Sequence, residues 1–218
     1  MGCERMLLPC RDDSTLESPL ELTDLPFISE WQGKIAYIDR DGVLNQASED
    51  YINSPREVVL LPEVAPAVGE LRRAGYRICV ITNQSPVGRG LWGHDTLAEI
   101  HSRLRSLLQR DDSDAVLDLI LYSPYAPWEG SWARKPNPGM LEAGRQLIDT
   151  AHVNPGSKPS LFFGHEWQDR PDESGSVLVG DRSSDLAAAE AHGVRGVRCD
   201  PSIGLSGVIE TILGDGNE

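Results

Sequence analysis

The sequence predicts an α/β fold, a central parallel sheet covered by helices on both faces. Three observations lead there. Short apolar runs without polar alternation recur along the chain, and segments of helical spacing separate them. Three of the runs also end on a residue able to bind a ligand: Asp39, Thr82 and Asp181. A continuously apolar strand suits a sheet with both faces covered. Strand–helix alternation implies right-handed crossovers between parallel neighbours.

Residues 34–39 (KIAYID) read as the first buried strand. Residues 64–75 (VAPAVGELRRAG) have helical spacing and stop at Gly75, a fitting C-cap. Residues 76–82 (YRICVIT) form the second strand. Residues 94–110 follow as an amphipathic helix with Leu97, Ile100, Leu104, Leu107 and Leu108 on one face. Its two histidines, His94 and His101, are expected at its surface or edge. Residues 116–123 (VLDLILYS) form the third strand, and 138–151 a helix with proline in its first turn. Residues 176–181 (SVLVGD), 184–193 and 194–199 read as strand, helix and strand, and a last helix covers Gly204–Leu213. Residues 1–30 form an N-terminal extension, irregular or packed on the remainder, and 31–218 a single domain. The connection 154–175 is long enough to be functional or mobile.

A chain of 218 residues can bury one sizeable core. Its net charge of −14 repels phosphate backbones and anionic membranes, so no nucleic-acid or membrane partner is expected. The basic stretch 71–77 (LRRAGYR) sits at a helix end, where cations suit the dipole. Cys3, Cys10, Cys79 and Cys199 make no CxxC pair, which argues against disulfides and a zinc cluster. The N-terminus lacks a secretory apolar stretch, and Met6 stands where a lipidation start wants Ser or Thr. No apolar run reaches the roughly 18 residues of a spanning helix. The expected location is the cytoplasm. Nothing in the sequence sets an oligomeric state.

Ligands bind beyond the carboxyl ends of strands in an open parallel sheet. Asp39, Asp41, Thr82 and Asp181 therefore face one crevice, and the segment after the third strand brings Arg134 and Lys135 to it. Gly42 turns the chain away, so both acids of DRDG reach one small volume. Asp185 lies four residues past Asp181. So many carboxylates repel one another unless a cation sits among them. Oxygen ligands alone suggest Mg²⁺, which also binds substrate phosphate. A carboxylate nucleophile beside a carboxylic acid then fits phosphoryl transfer through an aspartyl-phosphate.

The stretches DRDGVLN (39–45), TNQSPVGRG (82–90), RKPNPGM (134–140) and VGDRSSDLAAAEAHG (179–193) resemble the four motifs of haloacid dehalogenase superfamily phosphatases. They are most similar to the branch of heptose-bisphosphate phosphatases and the histidinol-phosphate phosphatase domain. The resemblance implies a three-layer αβα Rossmann-like fold with the nucleophile strand central and almost no cap. It implies Asp39 as nucleophile and Asp41 as general acid/base. Thr82 and Asn83 would bind phosphate, Lys135 the phosphoryl group and Arg134 the substrate. Asp39, the Asp41 carbonyl and Asp181 would bind Mg²⁺, with Asp185 supporting that site.

That branch also carries a structural zinc on a Cys/His loop. Here Ser123, Tyr125, Ser131 and Ala133 stand at the ligand positions, so no structural zinc is expected. Packing of Tyr125, Trp128 and Trp132 is expected to hold the loop instead. Both this loop and the 154–175 connection are expected near the mouth of the site. The expected partner is a small phosphorylated metabolite of carbohydrate metabolism, first a heptose bisphosphate. A histidinol-phosphate-like amine, another sugar or a cyclitol phosphate come next. A non-catalytic phosphate-binding module and a nucleic-acid 3′-phosphatase are the other classes open to this scaffold. His165 and Glu166, in GHEW, read as an ordinary loop.

Overall fold

A computed structural model describes residues 6–214. In chain order the elements are β1 (Cys10–Arg11), β2 (Ile35–Ile38), α1 (Val64–Arg73), β3 (Arg77–Asn83), α2 (Ser85–Gly88) and α3 (His94–Asp111). They continue with β4 (Leu119–Ser123), α4 (Gly139–Val153), β5 (Val177–Gly180), α5 (Ser183–His192), β6 (Arg195–Arg198) and α6 (Ile209–Gly214). The sheet order is β1–β4–β3–β2–β5–β6. All pairings are parallel except β1 with β4, so β2 lies inside the sheet with β3 and β5 as neighbours.

Strand side chains alternate between faces, and the two layers follow from that. Ala36 and Ile38 of β2 join Ile78 and Val80 of β3 in a core under α1, α3 and α6. Ile35 and Tyr37 join Cys79 and Ile81 in the opposite core, under α4 and α5. The predicted apolar face of α3 is buried as expected. No cap domain interrupts the alternation among the described residues.

Several details differ from the sequence reading, each for a local reason. The third strand starts at Leu119, three residues late, because Asp118 turns inward and accepts from the Ile78 amide at 2.8 Å. The same carboxylate binds Arg72 at 2.7 Å and Arg77 at 2.9 Å. Both arginines are buried, so the basic stretch 71–77 is an internal ion-pair cluster. Arg72 and Arg77 also bond the carbonyls of Asp24 and Thr23, which fastens the N-terminal segment to the sheet. Leu20, Leu25 and Trp31 of that segment sit in the α4–α5 core, and Cys10 and Arg11 add the edge strand β1. His101 is fully buried rather than at the helix surface, whereas His94 bonds the Tyr122 hydroxyl at 2.7 Å.

The connection 154–175 folds back along α4, away from the cavity. Buried Glu142 organises it. Its carboxylate accepts from the Gly164 amide at 3.1 Å and from Arg170 at 2.5 Å, and also from the Trp132 indole at 2.7 Å. His165 and Glu166 occupy a short 3₁₀ turn and are exposed.

Removing one partner of a buried ion pair leaves an uncompensated charge, a cost of about 3–5 kcal/mol. Asp118→Ala, which strands two arginines, should therefore lower unfolding stability by at least about 3 kcal/mol. Urea denaturation would show it as a lower midpoint with an unchanged slope.

Candidate active site

Each element end delivers one functional group. Asp39 follows β2, its amide bonded to the Val179 carbonyl at 3.0 Å. Thr82 and Asn83 are the last residues of β3, and Asp181 follows β5. Asp185 lies in the first turn of α5, where its Oδ2 accepts from the Arg182 amide at 3.0 Å. Lys135 arrives from the segment between β4 and α4. The structure thus brings all eight sequence-predicted residues to the same end of the sheet.

Lys135 is the hub. Its buried Nζ lies 2.9 Å from Asp39 Oδ1 and 2.7 Å from Asp185 Oδ1, and it donates to the Ile81 carbonyl at 2.9 Å. Burial pulls the ammonium pKa down, but the two carboxylates more than reverse this and hold it above the usual lysine range. The Asn83 amide clasps the Lys135 backbone on both sides, at 3.1 Å each way, and so sets the lysine. Thr82 Oγ1 accepts from Gln84 Nε2 at 2.8 Å, which leaves its own hydrogen free to donate into the cavity.

The two acids of DRDG live in opposite environments. Burial pushes Asp39 up from 3.8 to about 6, against the pull of Lys135 and with the repulsion of Asp185. Desolvation also acts on half-buried Asp41, but Arg40 outweighs it. Arg40 Nη2 donates to both Asp41 oxygens at 2.9 and 2.8 Å, and Nε to Oδ1 at 3.1 Å. Asn45 and Gln84 add bonds at 2.9 and 3.1 Å, so the Asp41 pKa lies below the ordinary range. This leaves Asp41 ionised, the form that can accept a proton.

Carboxylate oxygens of Asp39, Asp181 and Asp185 all lie within 4.8 Å of one another. Asp181 Oδ1 is buried and has no hydrogen-bond partner, and burial raises its pKa against the pull of Arg182. An orphaned buried carboxylate oxygen among hard donors fits a divalent cation such as Mg²⁺. Two glycines are required by close approach. A side chain at Gly42, where φ is +79°, would meet Asp181 at 2.8 Å, and one at Gly180 would meet Asp185 at 2.3 Å.

The groups open into a cavity of about 280 Å³. Asp39 and Lys135 form its buried part, while Arg89, Arg134 and Arg182 are more exposed. Arg134 is steadied by the Tyr125 carbonyl at 3.0 Å, and Arg89 by the Tyr51 hydroxyl at 3.1 Å with the Trp128 ring 5.8 Å away. The loops 45–57, 85–90 and 123–133 reach the mouth, the last as expected, but no residue of 154–175 lines the cavity. Sequence reading missed Arg40, Asn45, Gln84, Arg89 and Arg182. All five lie inside the quoted motifs, so their positions carried a signal.

Residues 34–194 match the polynucleotide kinase 3 phosphatase family. The chain belongs to that family, within the haloacid dehalogenase-like phosphatases. One relative in it is the D-glycero-β-D-manno-heptose-1,7-bisphosphate 7-phosphatase of Pseudomonas aeruginosa, 35% identical over 78% of this chain and 80% of its own. The D-glycero-D-manno-heptose-1,7-bisphosphate 7-phosphatase of Thermosynechococcus vestitus is 33% identical over 77% of this chain and 79% of its own. Among solved structures, the D,D-heptose 1,7-bisphosphate phosphatase of B. bronchiseptica, complexed with magnesium and phosphate, superposes with a TM-score of 0.63 at 29% identity. It covers 84% of this chain and 99% of its own. A putative phosphatase of the same fold from Mesorhizobium loti gives a TM-score of 0.60 at 24% identity, covering 97% of this chain and 96% of its own. The solved neighbours share the α/β fold.

A carboxylate whose folded pKa exceeds its unfolded value destabilises the fold whenever it is ionised. For Asp39 that penalty is fully present above about pH 6 and disappears towards pH 4. Lys135 keeps Asp185 and the Ile81 carbonyl in Asp39→Asn. This variant should therefore be more stable than wild type by about 1–3 kcal/mol at pH 8 without divalent cations. The gain should vanish near pH 4, and thermal melts across that range would test it.

Proposed function

We propose that the protein is a Mg²⁺-dependent phosphomonoesterase acting on a small sugar bisphosphate, first a heptose bisphosphate. One observation carries the reading. The nucleophile candidate Asp39 is fixed beside Lys135 in the buried part of a cavity whose outer part holds three arginines, so two phosphates can be bound at once. The relatives named for heptose-1,7-bisphosphate 7-phosphatase activity support the substrate class.

Asp39 attacks phosphorus as the bond to the leaving oxygen breaks, and Asp41, once protonated, supplies the departing alkoxide with its proton. In the second half Asp41 takes a proton from water, which attacks the aspartyl-phosphate and frees inorganic phosphate. The Thr82 hydroxyl, the backbone after it and Lys135 hold the phosphoryl oxygens, and Asn83 and Asp185 fix Lys135. Asp39, the Asp41 carbonyl and Asp181 would hold Mg²⁺, with Asp185 behind them. The ion would offset phosphate charge and align the reacting groups. Arg134, a planar fork on the outer part of the cavity, binds the portion of the substrate that stays behind.

We assign no structural zinc. Ser131 Oγ donates to the Leu7 carbonyl at 2.9 Å and the Trp132 indole to Glu142, so hydrogen bonds hold the loop at the positions where the resemblance would place zinc ligands. Trp128 adds little packing, being 75% exposed. We assign no nucleic-acid partner either, because the charge of −14 opposes a polyanion. No described helix can cross a membrane. Together with the buried free thiols of Cys79 and Cys199, this supports a cytoplasmic location.

A screen of sugar mono- and bisphosphates with and without Mg²⁺ tests the reading. Turnover should require the cation and favour a bisphosphate, and elemental analysis should find no stoichiometric zinc. Failure to hydrolyse any phosphomonoester would leave a phosphate-binding module. Preference for a polynucleotide 3′-phosphate would reverse the substrate class.

Arg134→Ala should raise KM for the bisphosphate and leave an aryl phosphate almost unchanged. Lys135→Ala should slow both by roughly 10²–10³-fold, because every transition state carries the phosphoryl charge. Equal slowing of both substrates by Arg134→Ala would move the arginine into the catalytic centre.

A further inference from the structure

The hold on Asp41 extends well beyond its own motif. Arg40, the residue between the two acids, is among the most deeply buried side chains of the protein, at 1% exposure. Its Nε and Nη2 are committed to Asp41. Its remaining nitrogen, Nη1, faces His101 Nε2 at 3.4 Å. A guanidinium can only donate, so His101 Nε2 accepts and the ring hydrogen lies on Nδ1. Nδ1 then donates to Asp12 Oδ1 at 3.0 Å. Asp12 Oδ2 accepts from Arg105, one helical turn after His101 on α3.

This chain is closed to water. His101 has no exposed surface and Asp12 is 6% exposed. Asp12 is in turn pinned by its backbone amide, which donates to the Ile120 carbonyl of β4 at 3.0 Å, directly after the β1 pairing. Burial and Arg40 favour the neutral imidazole against the pull of Asp12, consistent with the tautomer that the contacts require. Three buried polar side chains, Asp12, His101 and Arg40, thus run in one line from the N-terminal segment to half-buried Asp41 at the cavity wall. Asp12 lies outside the family match and outside all four motifs.

We propose that Asp12 and His101 are positioning residues for Asp41, acting through Arg40. The N-terminal segment then belongs to the catalytic apparatus. An arginine side chain is long and rotatable, and two of its three nitrogens grip the acid. Fixing the third nitrogen on His101, and His101 on Asp12, stops the guanidinium from pivoting and so keeps the Asp41 carboxyl aligned on the leaving oxygen. Proton transfer depends on such alignment within hydrogen-bond reach. The proposal rests on Asp41 as the general acid/base.

Leaving-group dependence separates positioning from simple support of the fold. The ratio kcat/KM reports steps up to cleavage of the bond to the leaving group. An alkoxide needs a proton as it departs, whereas p-nitrophenolate does not. The test compares β-glycerophosphate with p-nitrophenyl phosphate in wild type, Asp41→Asn, His101→Leu and Asp12→Ala.

Asp41→Asn should lose roughly 10²-fold more kcat/KM on the alkyl substrate than on the aryl one. His101→Leu and Asp12→Ala should each lose about tenfold more on the alkyl substrate, the part of that effect owed to alignment. Equal losses on both substrates, or no loss, in these two variants while Asp41→Asn discriminates would overturn the positioning role alone. An Asp41→Asn that fails to discriminate would overturn the acid assignment and this proposal together. Should a variant lose its cooperative melt, the wild-type protein still decides. Nitrogen-15 spectra must show His101 protonated on Nδ1, and a hydrogen on Nε2 would break the chain at Arg40.

Discussion

The constraint on which the molecule turns is the gathering of four carboxylates and one lysine at the ends of three buried strands. Asp39, Asp181 and Asp185 crowd within 4.8 Å, and Lys135 lies between two of them. Such a cluster survives only if each charge has a fixed partner in a low-dielectric setting. Much of the surrounding structure can be understood as the supply of those partners. The Asn83 amide fixes the Lys135 backbone, Asp185 takes the Arg182 amide, and Gly42 and Gly180 make room where any side chain would collide. What stays unpartnered is Asp181 Oδ1, a hard oxygen donor suited to a cation.

Much of this was legible in the sequence because the governing physics is local. A strand buried on both faces must be apolar throughout, and β2, β3 and β5 announce themselves in that way. Strand ends in an alternating α/β chain face one crevice. The spacing of Asp39, Thr82 and Asp181 from the ends of their apolar runs was therefore enough to bring them together. Gly42 could be read as a turn next to the acids, and its φ of +79° bears that out.

The unread features are those in which polar groups pair over long sequence separations. A buried arginine is indistinguishable in sequence from an exposed one. Arg72 and Arg77 looked like helix-end cations, and only the fold brings Asp118 under them, about forty residues on. His101 sits at a position of α3 that periodicity leaves ambiguous, and its partners come from Asp12 and Arg40. The placement of 154–175 failed in the same way. Its length suggested a role at the mouth, but buried Glu142 of α4 draws it back along that helix.

The two kinds of pairing divide the labour of the protein. Motif residues supply the reacting atoms, and they lie within a few positions of one another because a turn must present them together. Long-range buried pairs set the angles at which those atoms meet. With no cap domain to close over the cavity, substrate contacts are left to a few side chains, and an exposed arginine such as Arg89 is useful only if something limits its motion. Tyr51 and Trp128 do that from two different loops. The same logic applies to Arg40 below, where His101 and Asp12 take the part of the aromatic rings. In each case a cation on a flexible stem is made directional by its neighbours. The motifs identify the chemistry, and the supporting pairs shape how this chain applies it.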